Sequence, residues 1–136
     1  MTSFVVRSSR RTEAIEITDL VERACHQSGI SEGLVLLFVP HTTAAVFVNE
    51  RADPCVARDI MQVLSRLVPE DFPYSHQEGN APSHVRATLL GASVTLPVRA
   101  GKLQLGTWQG IFLAEFDGPR ERRVMVVPVE APGRGP

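Results

Sequence analysis

Two of the chain's four histidines, His76 and His84, bracket the stretch H-Q-E-G-N-A-P-S-H, with the carboxylate of Glu78 between them. Imidazole is the commonest protein ligand for zinc-like ions. A catalytic metal site typically takes three protein ligands and keeps one position for water or substrate. His41, in the stretch P-H-T-T-A-A, completes the candidate set. His76 and Glu78 are two residues apart, so on an extended segment both side chains point the same way. Glu78 is open to three roles: ligand, orienter of a histidine, or general base on a bound water. His26 lies off the apolar stripe of its helix and reads as a surface residue.

A second polar group is Asn49-Glu50-Arg51-Ala52-Asp53. Asp53 precedes Pro54 and has the local task of capping a helix. Glu50 has no such task, which makes it the better candidate for contact with substrate or metal. A third group is Gly106-Thr107-Trp108-Gln109-Gly110, which holds the only tryptophan. Trp108 could stack on a flat heterocycle or sit in the core. Arg122 and Arg123, after a Gly-Pro turn, are candidates to hold phosphate, whereas Arg120 reads as a solvated turn residue.

The elements that must position these groups follow from pattern. Phe4–Ser8 and Thr12–Ile17 read as a strand pair joined by a basic turn. Thr18 or Asp19 can cap a helix to about Ser28, with Leu20, Val21, Ala24 and Cys25 on its buried face and Gly29 at its end. G-L-V-L-L-F-V-P and T-A-A-V-F-V-N are apolar at nearly every position, as strands buried on both faces are. His41 lies between them. From Pro54 a helix should bury Val56, Ile60, Val63, Leu64 and Leu67 and stop before Pro69. A loop to Asn80 precedes a third helix that reaches Leu90, with Val85 and Leu89 inward and His84 in its first turn. Val94, Leu96 and Val98 alternate before a turn at Arg99–Gly101, which predicts a hairpin onto Lys102–Leu105. G-I-F-L-A-E-F and R-V-M-V-V-P-V form a further pair about Asp117-Gly118-Pro119.

The expected class is therefore α+β, a mixed, mostly antiparallel sandwich-like core with about three helices. Residues 1–130 read as one domain and 131–136 as a disordered tail rich in Pro and Gly. Three modest helices do not cover that much apolar sheet, which predicts a homo-oligomer. With 136 residues and a formal charge of −1, the chain has no global field to attract nucleic acid or an anionic membrane. No apolar run is long enough to span a bilayer, and no secretory leader pattern opens the chain. Cys25 and Cys55 read as free buried thiols, so a cytoplasmic protein is expected.

H-T-T-A-A-V-F-V-N-E-R-A-D-P, Y-S-H-Q-E-G-N-A-P-S-H and G-K-L-Q-L-G-T-W-Q-G-I-F-L-A-E-F-D-G-P-R-E-R-R-V together resemble the YjbQ family, also called the secondary thiamine-phosphate synthase-like family. The resemblance spans about residues 4 to 128. It implies a compact α+β fold around a sandwich-like core and assembly as a homotrimer. It also implies a secondary thiamine-phosphate synthase activity, a transferase reaction on small phosphorylated substrates. His41, His76 and His84 match the family's histidines. Glu78 and Asn80 match its E-G-N, and Asn49, Glu50 and Asp53 its N-E-x-A-D-P. Trp108 matches its G-T-W-Q-G. Ala81-Pro82 departs from the small polar or acidic residues found there, which puts a polar contact to substrate in doubt.

The resulting assignment makes Glu78, Glu50 and Asn49 catalytic and Thr42, Asn80, Trp108, Arg122 and Arg123 substrate-binding. A divalent, zinc-like ion or a phosphate sits at His41, His76 and His84. Magnesium, the usual partner of pyrophosphate, prefers oxygen ligands, which argues that synthase chemistry is a side activity. The alternatives are a metal-dependent hydrolase of a small phosphorylated or amide substrate, and a non-catalytic trimeric module that binds a metal or anion.

Overall fold

The computed structural model describes residues 1–133. The expected tail falls partly outside them; residues 131–133 carry no regular structure. The order of elements is β1 (Thr2–Arg7), β2 (Glu13–Glu16), α1 (Thr18–Ser28), β3 (Gly33–Phe38), β4 (Ala44–Glu50), α2 (Pro54–Leu67), α3 (Ala81–Leu90), β5 (Ser93–Arg99), β6 (Lys102–Leu103), β7 (Gln109–Glu115) and β8 (Glu121–Glu130). The fold is α+β. Its strands make a five-stranded sheet, β1-β8-β3-β5-β6, and a three-stranded sheet, β2-β7-β4. Every ladder is antiparallel.

Chain neighbours are not always sheet neighbours. β1 pairs with β8, and β2 pairs with β7. The two hairpins expected from the turns after β1 and β7 are therefore both crossings from one sheet to the other. The β5–β6 hairpin does form, with Val98 opposite Leu103.

The core lies between the sheets. Val6, Val35, Leu37, Val124 and Val126 from the larger sheet meet Ile17, Val46, Ile111 and Leu113, with Val21, Ala24 and Cys25 of α1 at one side. The opposite face of the smaller sheet offers Ala45, Phe47, Phe112, Ala114 and Phe116 to Ala57, Met61 and Leu64 of α2 and Ala87 of α3. Phe47 and Phe112 stack there with centroids 5.1 Å apart. β4 and β7 are thus covered on both sides, which is why neither alternates. β3 and β8 are not. Their second face carries Leu34, Phe38 and Val129 at 45%, 40% and 51% exposure, so for these two strands the two-faced expectation is corrected.

Both later helices also differ in phase from their expected faces. On α2, Val63 and Leu67 stand 54% and 67% exposed, and the inward stripe is Ala57, Met61 and Leu64. On α3, Val85 and Leu89 are exposed, and Pro82, Ser83, Arg86 and Ala87 face inward. Each helix carries apolar residues on more than one side, and packing on the smaller sheet buries only one of them. Asp53 caps α2 through its carboxylate, which accepts the Cys55 N–H at 2.9 Å. Thr18 does not cap α1; its hydroxyl accepts the Ile111 N–H at 2.9 Å instead. Cys55 is exposed rather than buried, while Cys25 is buried.

One buried polar cluster joins the two sheets at a corner. Glu115, at the end of β7, is fully buried and accepts from Ser8 Oγ at 2.6 Å and from Arg122 Nε at 2.9 Å. Arg122 Nη2 also donates to Glu115 Oε2 and to Thr43 Oγ1, the latter at 2.8 Å. Four separate chain segments meet in these bonds. The crossing beside them is tight: a Cβ on Gly118 would lie 2.2 Å from the Arg10 carbonyl oxygen. Stripping a charged partner from such a pair leaves the other charge buried and costs about 3–5 kcal/mol, whereas apolar replacement of both is far milder. Arg122→Met is therefore expected to lower urea-unfolding stability by about 3–5 kcal/mol. Glu115→Leu combined with Arg122→Met should recover much of that loss.

Candidate functional site

The residues singled out by sequence gather at two places. The first is the corner just described. The β3 ladder ends at Phe38, opposite Met125, and beyond it the imidazole of His41 receives the next free strand amide: Arg123 N–H donates to His41 Nε2 at 2.9 Å. In its neutral form His41 therefore carries its proton on Nδ1. Burial pushes its pKa down, the Arg122 guanidinium pushes it further, and Glu115 opposes them. Thr42 beside it is exposed, and Thr43 is buried against Arg122.

The start of α3 is pinned to the same corner. Phe116 N–H donates to Thr43 O at 3.1 Å, and Ser83 Oγ donates to Phe116 O at 2.6 Å. Asn80 is not bonded as a helix cap; its amide donates to Asp117 Oδ2 at 2.9 Å. Asp117 also accepts from Arg120 at 3.0 Å and faces Arg11 at 3.8 Å. Burial raises its pKa, but the bond from Asn80 and the charges of Arg120 and Arg11 win, and the net shift is downward. Glu115 follows the same pattern: burial raises, and the bonds from Arg122, Ser8 and the Asp117 amide outweigh it. One turn along α3, His84 meets His76 edge-to-face with ring centroids 5.1 Å apart. His76 Nε2 lies 3.8 Å from Glu78 Oε2. Tyr74, Ala81 and Val85 line the small cleft around the two rings.

The second place is the far end of β4 and β7. Asn49 lies opposite Gly110 and Glu50 opposite Gln109. Trp108 is 63% exposed there, so it is not a core residue. At ~3.3 Å per residue, the five strand steps from Ala44 to Asn49 alone span roughly 17 Å between the two places. One protomer cannot bring Glu50 and Trp108 to the imidazoles.

The expected metal site can be tested against these positions. Among the described residues, no three His, Cys, Asp or Glu side chains stand close enough to share an ion. His41 Nε2 is already occupied by an amide. The three imidazoles of a single protomer therefore do not fit a three-ligand centre. Arg122 points into the buried cluster, and Arg123 lies on the exposed face, where Nη1 donates to Ser3 Oγ at 2.7 Å.

Sequence reasoning passed over Glu115, Asp117, Ser83 and Arg86. Glu115 had a legible signal, an acid in the otherwise apolar run G-I-F-L-A-E-F, which demands a buried partner. Arg86 did not. It is buried on α3 and donates to the Val68 carbonyl at 2.6 Å, tying down the end of α2.

The fold and these positions define a two-sheet α+β protein with two polar sheet ends, one of them bearing imidazoles. The family described as "UPF0047 protein YjbQ-like" matches residues 2–131. The UPF0047 protein MJ1081 of Methanocaldococcus jannaschii is 43% identical over 123 residues, covering 90% of this chain and 89% of that one. YugU of Bacillus subtilis is 42% identical over 118 residues, covering 86% and 89%. A crystal structure of a YjbQ/UPF0047 protein from Clostridium acetobutylicum superposes with a TM-score of 0.92 at 44% identity, covering 95% of this chain and all of the other. The chain belongs to the YjbQ/UPF0047 family. Among the described residues no helix is long and apolar enough to cross a membrane.

Two of the shifts above have the same sign for stability. Glu115 and Asp117 bind protons less readily folded than unfolded, so the unfolded state gains protons first as pH falls. Stability is complete above their ordinary values of 4.5 and 3.8 and is lost as pH drops through the lowered ones. Glu115→Gln should flatten that acid limb in urea titrations from pH 6 to pH 2, relative to the unaltered chain, by about one proton's dependence. His41 adds loss that begins below its ordinary 6.5.

Proposed function

We propose that the chain is one subunit of a small-molecule enzyme acting on phosphorylated substrates, with its pocket completed by a second copy in a homotrimer. The observation that carries this reading is the separation of the candidate residues into two unlike polar ends. His41, Thr42, His76, Glu78, Asn80 and His84 lie at one end, and Asn49, Glu50 and Trp108 at the other. In a cyclic assembly each subunit shows one surface to the next copy and a different surface to the previous one. Unlike ends can then meet where a single protomer keeps them apart. The exposed Leu34, Phe38 and Val129 face supplies apolar area for such an association.

Thiamine phosphate formation, as a secondary activity, fits that pocket. A thiazole nitrogen attacks the methylene carbon of a pyrimidine, and pyrophosphate leaves with its electron pair. The leaving group needs donors aimed at its oxygens. Imidazole N–H groups of His76 and His84 and the exposed Arg123 can serve, while Trp108 stacks on a ring and Glu50 or Glu78 positions the partner. Arg122, committed to Glu115, has no part in this scheme. A zinc-like ion at the histidines would need ligands from the neighbouring copy, and elemental analysis of the purified oligomer tests for it.

His84→Ala and Glu50→Ala should each abolish turnover of a pyrimidine pyrophosphate with a thiazole phosphate. Mixed by unfolding and refolding together, random trimers would regain about one quarter of the original activity, because one interface in four then carries both intact residues. A mixture as inactive as its parents rules out the shared pocket. Full activity in either single variant rules out the residue assignment.

A further inference from the structure

A groove of about 600 Å³ runs between the edge strand β2 and helix α2, away from the imidazoles. That volume is in the range of small-molecule clefts, roughly 300–1,000 Å³. Its floor is apolar, built from Ala14, Ala57, Met61 and Phe112. Its rim carries Arg10, Arg51 and Arg58 with Glu13 and Glu16.

The charges on the rim are unevenly committed. Glu13 accepts the backbone N–H groups of Ser9 and Arg10 at 2.6 and 2.9 Å. Glu16 pairs with Arg51 at 3.0 Å. Among the described residues no carboxylate pairs with the guanidinium of Arg10 or Arg58. Arg58 has only the Cys55 sulfur, 3.3 Å away. Three cations against two carboxylates leave one positive charge over an apolar floor.

The rim is also held in place. Arg51 N–H donates to the Trp108 carbonyl at 2.8 Å. A Cβ on Gly110 would stand 2.6 Å from the Arg51 Cβ, so only glycine lets Arg51 lie against β7.

We propose that this groove binds a small amphipathic carboxylate, with its apolar body on Met61 and Phe112 and its head group between Arg10 and Arg58. The charge count selects the head group. A monoanion neutralises the single surplus charge, whereas a dianionic phosphate overshoots it beside Glu13 and Glu16. The inference does not depend on the reaction proposed for the two sheet ends.

Calorimetric titration of the intact protein with 2-naphthoate, 2-naphthol and 2-naphthyl phosphate tests it, with amide chemical shifts locating the probe. Naphthoate should bind about ten-fold more tightly than either analogue and shift the amides of Ala14, Ala57 and Met61. Arg10→Gln with Arg58→Gln, both exposed and outside the core, should weaken naphthoate by about ten-fold and leave naphthol unchanged. Equal affinity for naphthol and naphthoate overturns the proposal, as does a double variant that binds as before. Shifts confined to Leu34 and Phe38 would place the probe on the outer sheet instead and overturn the groove. Tighter binding of the phosphate would overturn the monoanion.

Discussion

The bond between Glu115 and Arg122 governs the architecture. It joins the last residue of β7 to the second of β8, and those strands belong to different sheets. Ser8 and Thr43 add the two other crossings to the same cluster. An unpaired charge at that depth would be costly, so the pair holds the corner because the two charges neutralise each other and both Glu115 oxygens accept hydrogen bonds. Three connections between sheets converge there, and the backbone around them has little freedom. That stiffness is what a loop-borne site requires. His41, Asn80 and Ser83 all take their positions from atoms within a residue or two of this pair.

The smaller sheet explains the rest of the layering. It is packed on one side by the larger sheet and on the other by α2 and α3. The larger sheet has a partner on one side only. Its outer surface, with Leu34, Phe38 and Val129 and the half-buried Met125 and Val127, is more apolar than a solvated face needs to be. This asymmetry and the separation of the polar ends along β4 are the two features on which the proposed oligomer rests.

The corner also changes the meaning of its histidine. Sequence alone treats His41, His76 and His84 as equivalent imidazoles. In the fold His41 accepts a strand amide and is pushed towards its neutral form, while His76 and His84 face each other across an open cleft. Arg122 and Arg123 part in the same way. Adjacent residues on a strand point to opposite faces, so one is buried with Glu115 and the other lies on the outer surface.

Much was determined by the sequence itself. The α+β class, three helices, the Asp53 cap, the β5–β6 hairpin and the close approach of His76, His84 and Glu78 rest on local signals, such as turn residues, apolar period and short chain separation. What only tertiary structure decided were choices among locally equivalent options. β1 could pair with β2 or with β8, and the pairing was set by the corner that Glu115 and Arg122 close. α2 and α3 each had apolar residues on more than one side, and only the fit to the smaller sheet decided which side is buried. The roughly 17 Å of strand between His41's end and Trp108's end is invisible to motif spacing. Spacing records order along the chain, and the direction of a strand turns order into distance.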